Sequence, residues 1–195
     1  MRSVLFIAIF VLLASAMSNA QSIEAFAKFD QNGKLVNKDA NMAFSIALSK
    51  DTTSFWSHMK FTSFILVEPG WGESMFGLSY APASWVEIGL SGGFEQNPNV
   101  YRGCATLWLG KGRFSSFTAF ERGVGHDNWW YRNITKYKVS DDISLGFQGW
   151  RYNGLGPIIE FGIVKHVTIW INPVLDPEKD SNGNKAVIVG LGINL

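Results

Sequence analysis

Large apolar side chains occupy every second position along most of this chain. Ile143, Leu145 and Phe147, for example, are separated by single small or polar residues. Successive side chains on a β-strand point to opposite faces, so each such run predicts a strand with one apolar and one mixed face. We find no convincing helical pattern after residue 20. The clearest alternating runs are 42–48, 86–90, 143–147, 159–163, 167–171 and 187–195.

The alternation predicts twelve strands, most of them close to the length that spans a bilayer as a tilted strand. The first is the weakest, because Ala25, Ala27 and Phe29 form only a thin apolar face. Ten strands result if residues 22–50 form an arm outside the sheet, and residues 21–40 in particular are either a weak first strand with its loop or part of such an arm. The predicted strands are 23–29, 41–49, 55–67, 74–81, 84–94, 100–110, 113–121, 128–138, 142–152, 157–164, 166–173 and 186–195.

The predicted connections alternate between tight turns and longer segments rich in Gly, Pro and Asn, which break strands for backbone reasons. Counting back from the C-terminus puts every tight turn on one side, together with both termini when the number of strands is even. Short turns at one end and longer loops at the other are typical of transmembrane β-barrels. The tight turns are 81–84, 110–112, 140–142 and 165–166, and the longer segments are 69–72, 96–99, 123–128 and 176–184.

The first twenty residues have the pattern of a secretory signal peptide. Arg2 precedes an uncharged apolar run over residues 4–13, and small residues lead to Ala20. The run is too short for a membrane helix, which needs about 20 apolar residues. We therefore predict export, cleavage after Ala20 and a mature single domain over residues 21–195.

Composition and charge narrow the function further. Apolar residues make up 47% of the chain and aromatic residues 14%, yet after the signal peptide they are dispersed rather than gathered into long runs. Without Arg2, sixteen basic residues balance sixteen acidic ones, which argues against a nucleic-acid partner. Cys104 is the only cysteine, so disulfides do not staple the fold, and we expect its thiol to be buried.

Two all-β architectures fit this pattern. In lipid every backbone polar group must be paired, and a closed barrel pairs them without leaving edges. We therefore predict an antiparallel, up-and-down transmembrane β-barrel of about twelve strands. The alternative is a soluble secreted β-sandwich, with its apolar faces inward and Trp71, Trp129 and Trp130 stacking on carbohydrate.

The chain resembles bacterial outer-membrane β-barrel proteins as a class. The resemblance covers the signal peptide and residues 41–195, and it rests on the alternation, the turn and loop pattern and the terminal strand from Ala186 to Leu195. It implies location in the outer membrane, with the lipid bilayer and the outer-membrane assembly machinery as partners. The class commonly ends in an aromatic residue, whereas Leu195 stands last here. The resemblance is architectural and does not specify a function.

The mixed faces of the predicted strands supply candidate lumen-facing polar residues. Unpaired charges in a confined interior are costly, so we expect Glu87 and Glu160 to pair with Arg102 or Arg132. Two interpretations are open: a salt-bridged plug, as in a structural or surface-interaction protein, or a narrow polar constriction that passes small polar solutes. Large side chains on the same faces favour a filled lumen, namely Trp56, Trp85, Trp108, Trp130, Trp150 and Trp170. Trp56, Trp85 and Trp108 lie near the tight-turn end, where an aromatic belt at the membrane boundary is the alternative. The candidate polar residues are His58, Lys60, Glu87, Arg102, Arg132, Lys136, Gln148 and Glu160.

The sequence offers no convincing catalytic group. His126 and Asp127 are adjacent, but such a pair is more typical of a solvated loop than of a general base. No serine can be placed beside any of the three histidines, and neither metal-ligand spacing nor a phosphate-binding glycine pattern is present. We therefore predict a protein that is not an enzyme and has no cofactor or metal. An outer-membrane enzyme working at the barrel rim through His126 or His58 is the remaining alternative.

Overall fold

Twelve antiparallel strands close into a single barrel. The computed structural model describes residues 21–96, 100–176 and 184–194, so the predicted signal peptide and Leu195 lie outside the described residues. The strands are β1 (Gln21–Asp30), β2 (Leu35–Ala47), β3 (Met59–Glu68), β4 (Trp71–Ala83), β5 (Val86–Glu95), β6 (Tyr101–Lys111), β7 (Phe114–Gly123), β8 (Trp129–Lys138), β9 (Ile143–Trp150), β10 (Gly154–Val164), β11 (Val167–Asp176) and β12 (Asn184–Asn194).

Pairing between the first and last strands closes the sheet. β1 pairs with β12 from Ser22 opposite Asn194 to Asp30 opposite Ala186, and its other edge pairs with β2. Every other strand pairs with its neighbours in chain order, so the sheet has no free edge. The predicted twelve-strand barrel is confirmed. The ten-strand count with an N-terminal arm is wrong, and so is the two-sheet sandwich, because one continuous sheet contains β1 and β2.

The barrel has two distinct ends, which we name for what they carry. The terminal end holds the start of β1 and the finish of β12, and the loop end is opposite. The predicted contrast between short and long connections is weaker in the structure, because the connection 48–58 lies at the terminal end and the two-residue turn 69–70 lies at the loop end. The start of β1 and the finish of β12 do lie at the same end, as an even number of antiparallel strands requires.

A short 3-10 helix (Phe55–His58) replaces the beginning of the strand predicted over 55–67. Ser54 Oγ accepts a hydrogen bond from the Trp56 amide at 3.2 Å, and the Ser57 amide donates to the Ser54 carbonyl at 3.1 Å. Such local bonds compete with strand pairing, so β3 begins only at Met59. Among the described residues, no helix is long and apolar enough to cross a bilayer.

Two prolines lie inside strands that extend beyond their predicted bounds. Pro157 is in β10 and Pro173 is in β11, in the interval between the paired positions Leu155 with Leu175 and Ile159 with Ile171. Proline cannot donate to a neighbouring strand. The side-chain amide of Asn172 donates to the Pro157 carbonyl at 2.7 Å, and this bond satisfies a backbone acceptor where regular pairing is interrupted.

Apolar side chains cover the outside of the barrel, and polar side chains fill much of the inside. Leu90 is 68% exposed on the outer face, where Phe76, Leu78, Ile88 and Leu107 are also exposed. A soluble β-domain has the opposite arrangement, with apolar side chains inside. The buried polar and charged residues on the inward faces of the strands include Lys28, Glu73, Glu95, Arg102, Glu121, Arg132, Gln148 and Asn172.

Candidate functional site in the barrel interior

Three carboxylates surround Arg102 near the loop end. The guanidinium Nε lies 3.2 Å from Glu73 Oε2, Nη1 lies 2.6 Å from Glu95 Oε2, and Nη2 lies 3.2 Å from Glu121 Oε2. Asn128 Oδ1 accepts a further bond from Nη1 at 2.9 Å, and Asn128 Nδ2 donates to Glu95 Oε1 at 2.7 Å. We call these five residues the Arg102 cluster. Its centre is occupied by the guanidinium, and one fixed positive charge there faces three carboxylates.

The strands bring this cluster together from four consecutive positions in the sheet. Glu73 is on β4, Glu95 on β5, Arg102 on β6 and Glu121 on β7. Gly93 and Gly123 stand opposite Arg102 on the neighbouring strands, which leaves room for the guanidinium. The Arg102 side chain is only 5% exposed. Burial of this kind makes each ionic contact strong but leaves little water to replace a lost partner.

Arg102 is among the lumen-facing residues predicted from the sequence, whereas its three carboxylate partners are not. The available signal was the two-residue period: Glu73 and Glu121 each lie two positions from an inward-facing apolar residue, Met75 and Ala119 respectively. Parity assigns such residues to a face. It does not give their height along the barrel, and height decides which charges meet.

A second charged network crosses the interior from one side of the barrel to the other. Arg132 on β8 binds Glu24 on β1 through Nη1 to Oε2 at 2.6 Å and Nη2 to Oε1 at 3.0 Å, although these strands are not neighbours. Arg132 Nη2 also donates to Gln148 Oε1 at 3.2 Å, and Gln148 Nε2 donates to Asn172 Oδ1 at 3.0 Å. The guanidinium lies 4.2 Å from the centre of the Trp150 ring. This network ties β1, β8, β9 and β11 together inside the barrel.

Glu87 and Glu160 pair with lysines nearer the terminal end. Lys60 Nζ lies 2.6 Å from Glu87 Oε2, and Lys136 Nζ lies 2.8 Å from Glu160 Oε2. The expectation that Glu87 and Glu160 pair with Arg102 or Arg132 is therefore wrong. The reason is height along the barrel. Glu87 on β5 lies opposite Trp108 on β6, and Trp108 is six positions from Arg102 along that strand, a distance of about 20 Å.

Apolar side chains fill the interior beside β9 to β12 and β1. Trp150 and Trp170 are each 2% exposed, and Phe26 lies 4.7 Å from the Trp150 ring between ring centres. We call this group the tryptophan plug. Trp130 packs against it and against a second group formed by Met75, Cys104 and Ala119. The plug comprises Phe26, Trp150, Ile158, Trp170, Val174, Ala186 and Ile188.

Three of the six tryptophans expected on the mixed faces lie elsewhere or at the rim. Trp56 is 55% exposed in the 3-10 helix, and Trp85 is 53% exposed in the turn between β4 and β5. Trp108, near the terminal end of β6, is 37% exposed. Of the six, Trp130, Trp150 and Trp170 therefore fill the interior.

The histidines are spread over both ends of the barrel. His58 belongs to the 3-10 helix, is exposed, and its Nδ1 lies 3.1 Å from the Ala81 carbonyl oxygen, beside the outward-facing Tyr80. This position departs from the expected place on the lumen face, because residue 58 precedes the first paired residue of β3. His166 is exposed in the terminal-end turn 165–166, and His126 is exposed in the loop-end connection 124–128.

Two cavities lie along the inward faces of β2 to β7, which we call the β2–β7 wall. The loop-end cavity has a volume of about 110 Å³, and the terminal-end cavity about 220 Å³. Each is large enough for several water molecules. Glu121 lines both. Residues around the loop-end cavity include Asp39, Glu68, Glu73, Arg102 and Tyr152, and those around the terminal-end cavity include Ser45, Thr62, Ser79, Glu87, Ser91 and Thr106.

An ion pair between two connections holds the rim of the loop-end cavity. Arg151 Nη2 lies 2.8 Å from Asp127 Oδ1, and the guanidinium stacks 4.0 Å from the Trp129 ring centre and 4.6 Å from that of Tyr152. The hydrogen bond from Arg151 lowers the pKa of Asp127 below its ordinary value. Tyr152 and Asn153 in the turn 151–153 line the cavity, so this pair positions part of its entrance.

Comparison with known proteins identifies the fold. No protein-family model matches the sequence, and no curated protein does. Among solved structures the chain is similar to the KdgM porin in complex with disordered oligogalacturonate, with a TM-score of 0.58 and 10% identity over 89% of this chain and 99% of that chain. It is similar to the NanC porin, with a TM-score of 0.56 and 6% identity over 89% and 100% of the two chains. It is also similar to outer membrane phospholipase A from Escherichia coli, with a TM-score of 0.55 and 11% identity over 90% of each chain.

Proposed function

We propose that this protein is an integral outer-membrane channel whose narrow lumen is largely filled by side chains. The observation that carries the proposal is the pair of cavities along the β2–β7 wall, which share Glu121 in their linings inside a barrel with an apolar exterior. Small polar solutes would pass along this wall and beside the Arg102 cluster, while the tryptophan plug closes the opposite side. Two of the structures with a similar fold are porins, which supports this function.

The exterior supports a place in a bilayer. A closed barrel satisfies its backbone hydrogen bonds internally, and a lipid-facing surface favours large apolar side chains such as Leu78, Ile88 and Leu90. In water the same surface would promote association. The lipid bilayer and the outer-membrane assembly machinery are the proposed partners, and export is assigned to the signal peptide over residues 1–20.

The substitution Leu90→Arg tests whether the outer face contacts lipid. Leu90 lies midway along β5 and is 68% exposed, so its arginine would meet hydrocarbon near the bilayer midplane. We expect a loss of about 2–4 kcal/mol in the free energy of unfolding in lipid vesicles. Denaturant titration followed by tryptophan fluorescence measures it, and the mobility of unheated and boiled samples on detergent gels reports the folded fraction.

Val139→Arg is the matched control for this measurement. Val139 is 46% exposed in the turn 139–142, where an arginine reaches water or lipid headgroups, so we expect a change of only about 0–1 kcal/mol. If Leu90→Arg were as well tolerated as the control, or improved the solubility of a protein that folds without detergent or lipid, the membrane assignment would be wrong.

The channel itself is tested by shortening a side chain on the β2–β7 wall, along which both cavities lie. Met75 is 2% exposed and lines the terminal-end cavity, and Glu73, two positions along β4, lines the loop-end cavity. We expect Met75→Ala to raise the single-channel conductance in planar bilayers above that of the unaltered protein. The control is Met42→Ala, because Met42 is also buried, at 6% exposed, but packs on the outer face beside Ile23 and Ile65.

Both methionine variants lose a buried side chain, at a cost of about 2–5 kcal/mol, so their folding is verified before conductance is recorded. Met42→Ala should leave the conductance unchanged. A folded, unaltered protein without any conductance would reject the channel and leave the plugged structural barrel. Equal effects of the two variants would reject the path along the β2–β7 wall.

A further inference from the structure

The charged residues around the two cavities are mostly acidic. Five carboxylate side chains line them, whereas Arg102 is the basic residue among the lining. Glu95, which binds Arg102, adds a sixth acidic side chain to the inward face of this wall. Lys60, which binds Glu87, adds a second basic one. The carboxylates lining the cavities are those of Asp39, Glu68, Glu73, Glu87 and Glu121.

Two basic residues of the opposite side are bound away from the cavities, whereas a third, Lys28, is 4% exposed and donates to the Tyr152 carbonyl at 3.0 Å beside the loop-end cavity. Arg132 is held by Glu24 and Gln148 and stacks on Trp150, and Lys136 is held by both oxygens of Glu160. The tryptophan plug packs beside Arg132, on the inward faces of β1 and β9 to β12. The interior is thus electrically asymmetric, and its open space lies on the acidic side.

One carboxylate oxygen in this space is held by an ion pair without a hydrogen bond. Glu73 is 5% exposed, and its Oε2 accepts no hydrogen bond among the described residues, although Arg102 Nε is 3.2 Å away. Buried acceptors are almost always satisfied, by protein, water or an ion. Because Glu73 lines the loop-end cavity, that partner would enter from the lumen.

We infer that the lumen path favours small cations over anions, a conclusion that rests on the proposed channel. Rings or clusters of carboxylates select cations because a pore with low-dielectric walls concentrates their field on the passing ion. Arg102 contributes a single positive charge within this field and is itself neutralised by three carboxylates. An anion in the loop-end cavity would meet the carboxyl groups of Asp39, Glu68, Glu73 and Glu121 around that single guanidinium.

The experiment is a reversal-potential measurement in planar bilayers with unequal KCl concentrations on the two sides. The unaltered protein should show a reversal potential of the sign set by K⁺. The double variant Asp39→Asn, Glu68→Gln removes two charges from the loop-end cavity without changing side-chain size, and should shift the reversal potential toward zero while conductance persists. The control, Asp141→Asn, alters a fully exposed side chain in the turn 139–142 and should leave the potential unchanged.

The outcomes separate this inference from the proposal on which it rests. Absence of conductance in the unaltered, folded protein rejects the channel and the selectivity together. Conductance with a reversal potential at zero, or of the sign set by Cl⁻, rejects cation preference and leaves the channel standing. An equal shift in the Asp141→Asn control would assign the selectivity to the rim instead of the cavity. If the double variant fails to fold, the reversal potential of the unaltered protein alone decides the inference.

Discussion

Replacing Arg102 with leucine is expected to lower the free energy of unfolding by about 3–5 kcal/mol. The guanidinium lies within 2.6 to 3.2 Å of oxygens from Glu73, Glu95 and Glu121, and its removal leaves three buried carboxylates facing one another without a counter-charge. Denaturant titration of the refolded protein in lipid vesicles, followed by tryptophan fluorescence, measures the loss. The loop ends of β4 to β7 should also become more accessible to protease.

Arg122→Leu is the matched control for the Arg102 substitution. Arg122 follows Glu121 on β7 but faces outward, is exposed, and donates to the Gly125 carbonyl at 3.2 Å. We expect a change within about 0.5 kcal/mol. Arg102→Lys should recover only part of the stability, because an ammonium group lacks the planar fork that reaches three carboxylates. Stability of Arg102→Leu within that same narrow range would show that the carboxylates are satisfied without the guanidinium.

The second large effect is expected from Trp170→Ala, at a cost of about 3–5 kcal/mol. Trp170 is 2% exposed and packs near Phe26, with 6.2 Å between ring centres. Its ring covers Gly190 so closely that a Cβ at residue 190 would lie 2.1 Å from it. The variant therefore leaves a cavity inside the tryptophan plug, and its conductance should exceed that of the unaltered protein because a closed part of the lumen opens.

Trp85→Ala is the corresponding control, since Trp85 is 53% exposed in the turn between β4 and β5. It should change stability by about 0.5 kcal/mol or less and leave the conductance unaltered. Gly190→Ala disturbs the same contact, because the added methyl group would displace the Trp170 ring. If Trp170→Ala reduced stability without any rise in conductance, the plug would be structural alone, and solutes would depend only on the β2–β7 wall.

Much of the architecture was predictable from the sequence, because side-chain alternation is a local property of extended backbone. The predicted strands 113–121 and 128–138 differ from β7 and β8 by only a few residues at their ends. Larger departures arose where local hydrogen bonding competed with pairing. Ser54 caps the 3-10 helix in place of the start of β3, and Asn172 supports β10 and β11 where they extend past the predicted bounds at Pro157 and Pro173.

The candidate site was only partly predictable. Parity correctly pointed to inward positions for residues such as Gln148, which is fully buried, but not to the partners that these residues find. Glu24 and Arg132 are separated by 108 residues in the chain and by several strands in the sheet, so no spacing rule joins them. Glu87 and Glu160 bind lysines instead of arginines because partner choice follows height along the barrel.

The sequence by itself determined the all-β architecture, the side of the sheet on which most residues lie and the apolar character of the outer face, since each depends on a two-residue period that the backbone imposes. It left ten or twelve strands open, and the pairing of β1 and β2 with the rest of the sheet decided for twelve. The tertiary structure decided the rest. Strand register and the pairing of β1 with β12 set the height of every inward side chain, and only then do three carboxylates converge on Arg102 and the tryptophans collect on one side. The open space along the β2–β7 wall is what remains once those side chains are in place.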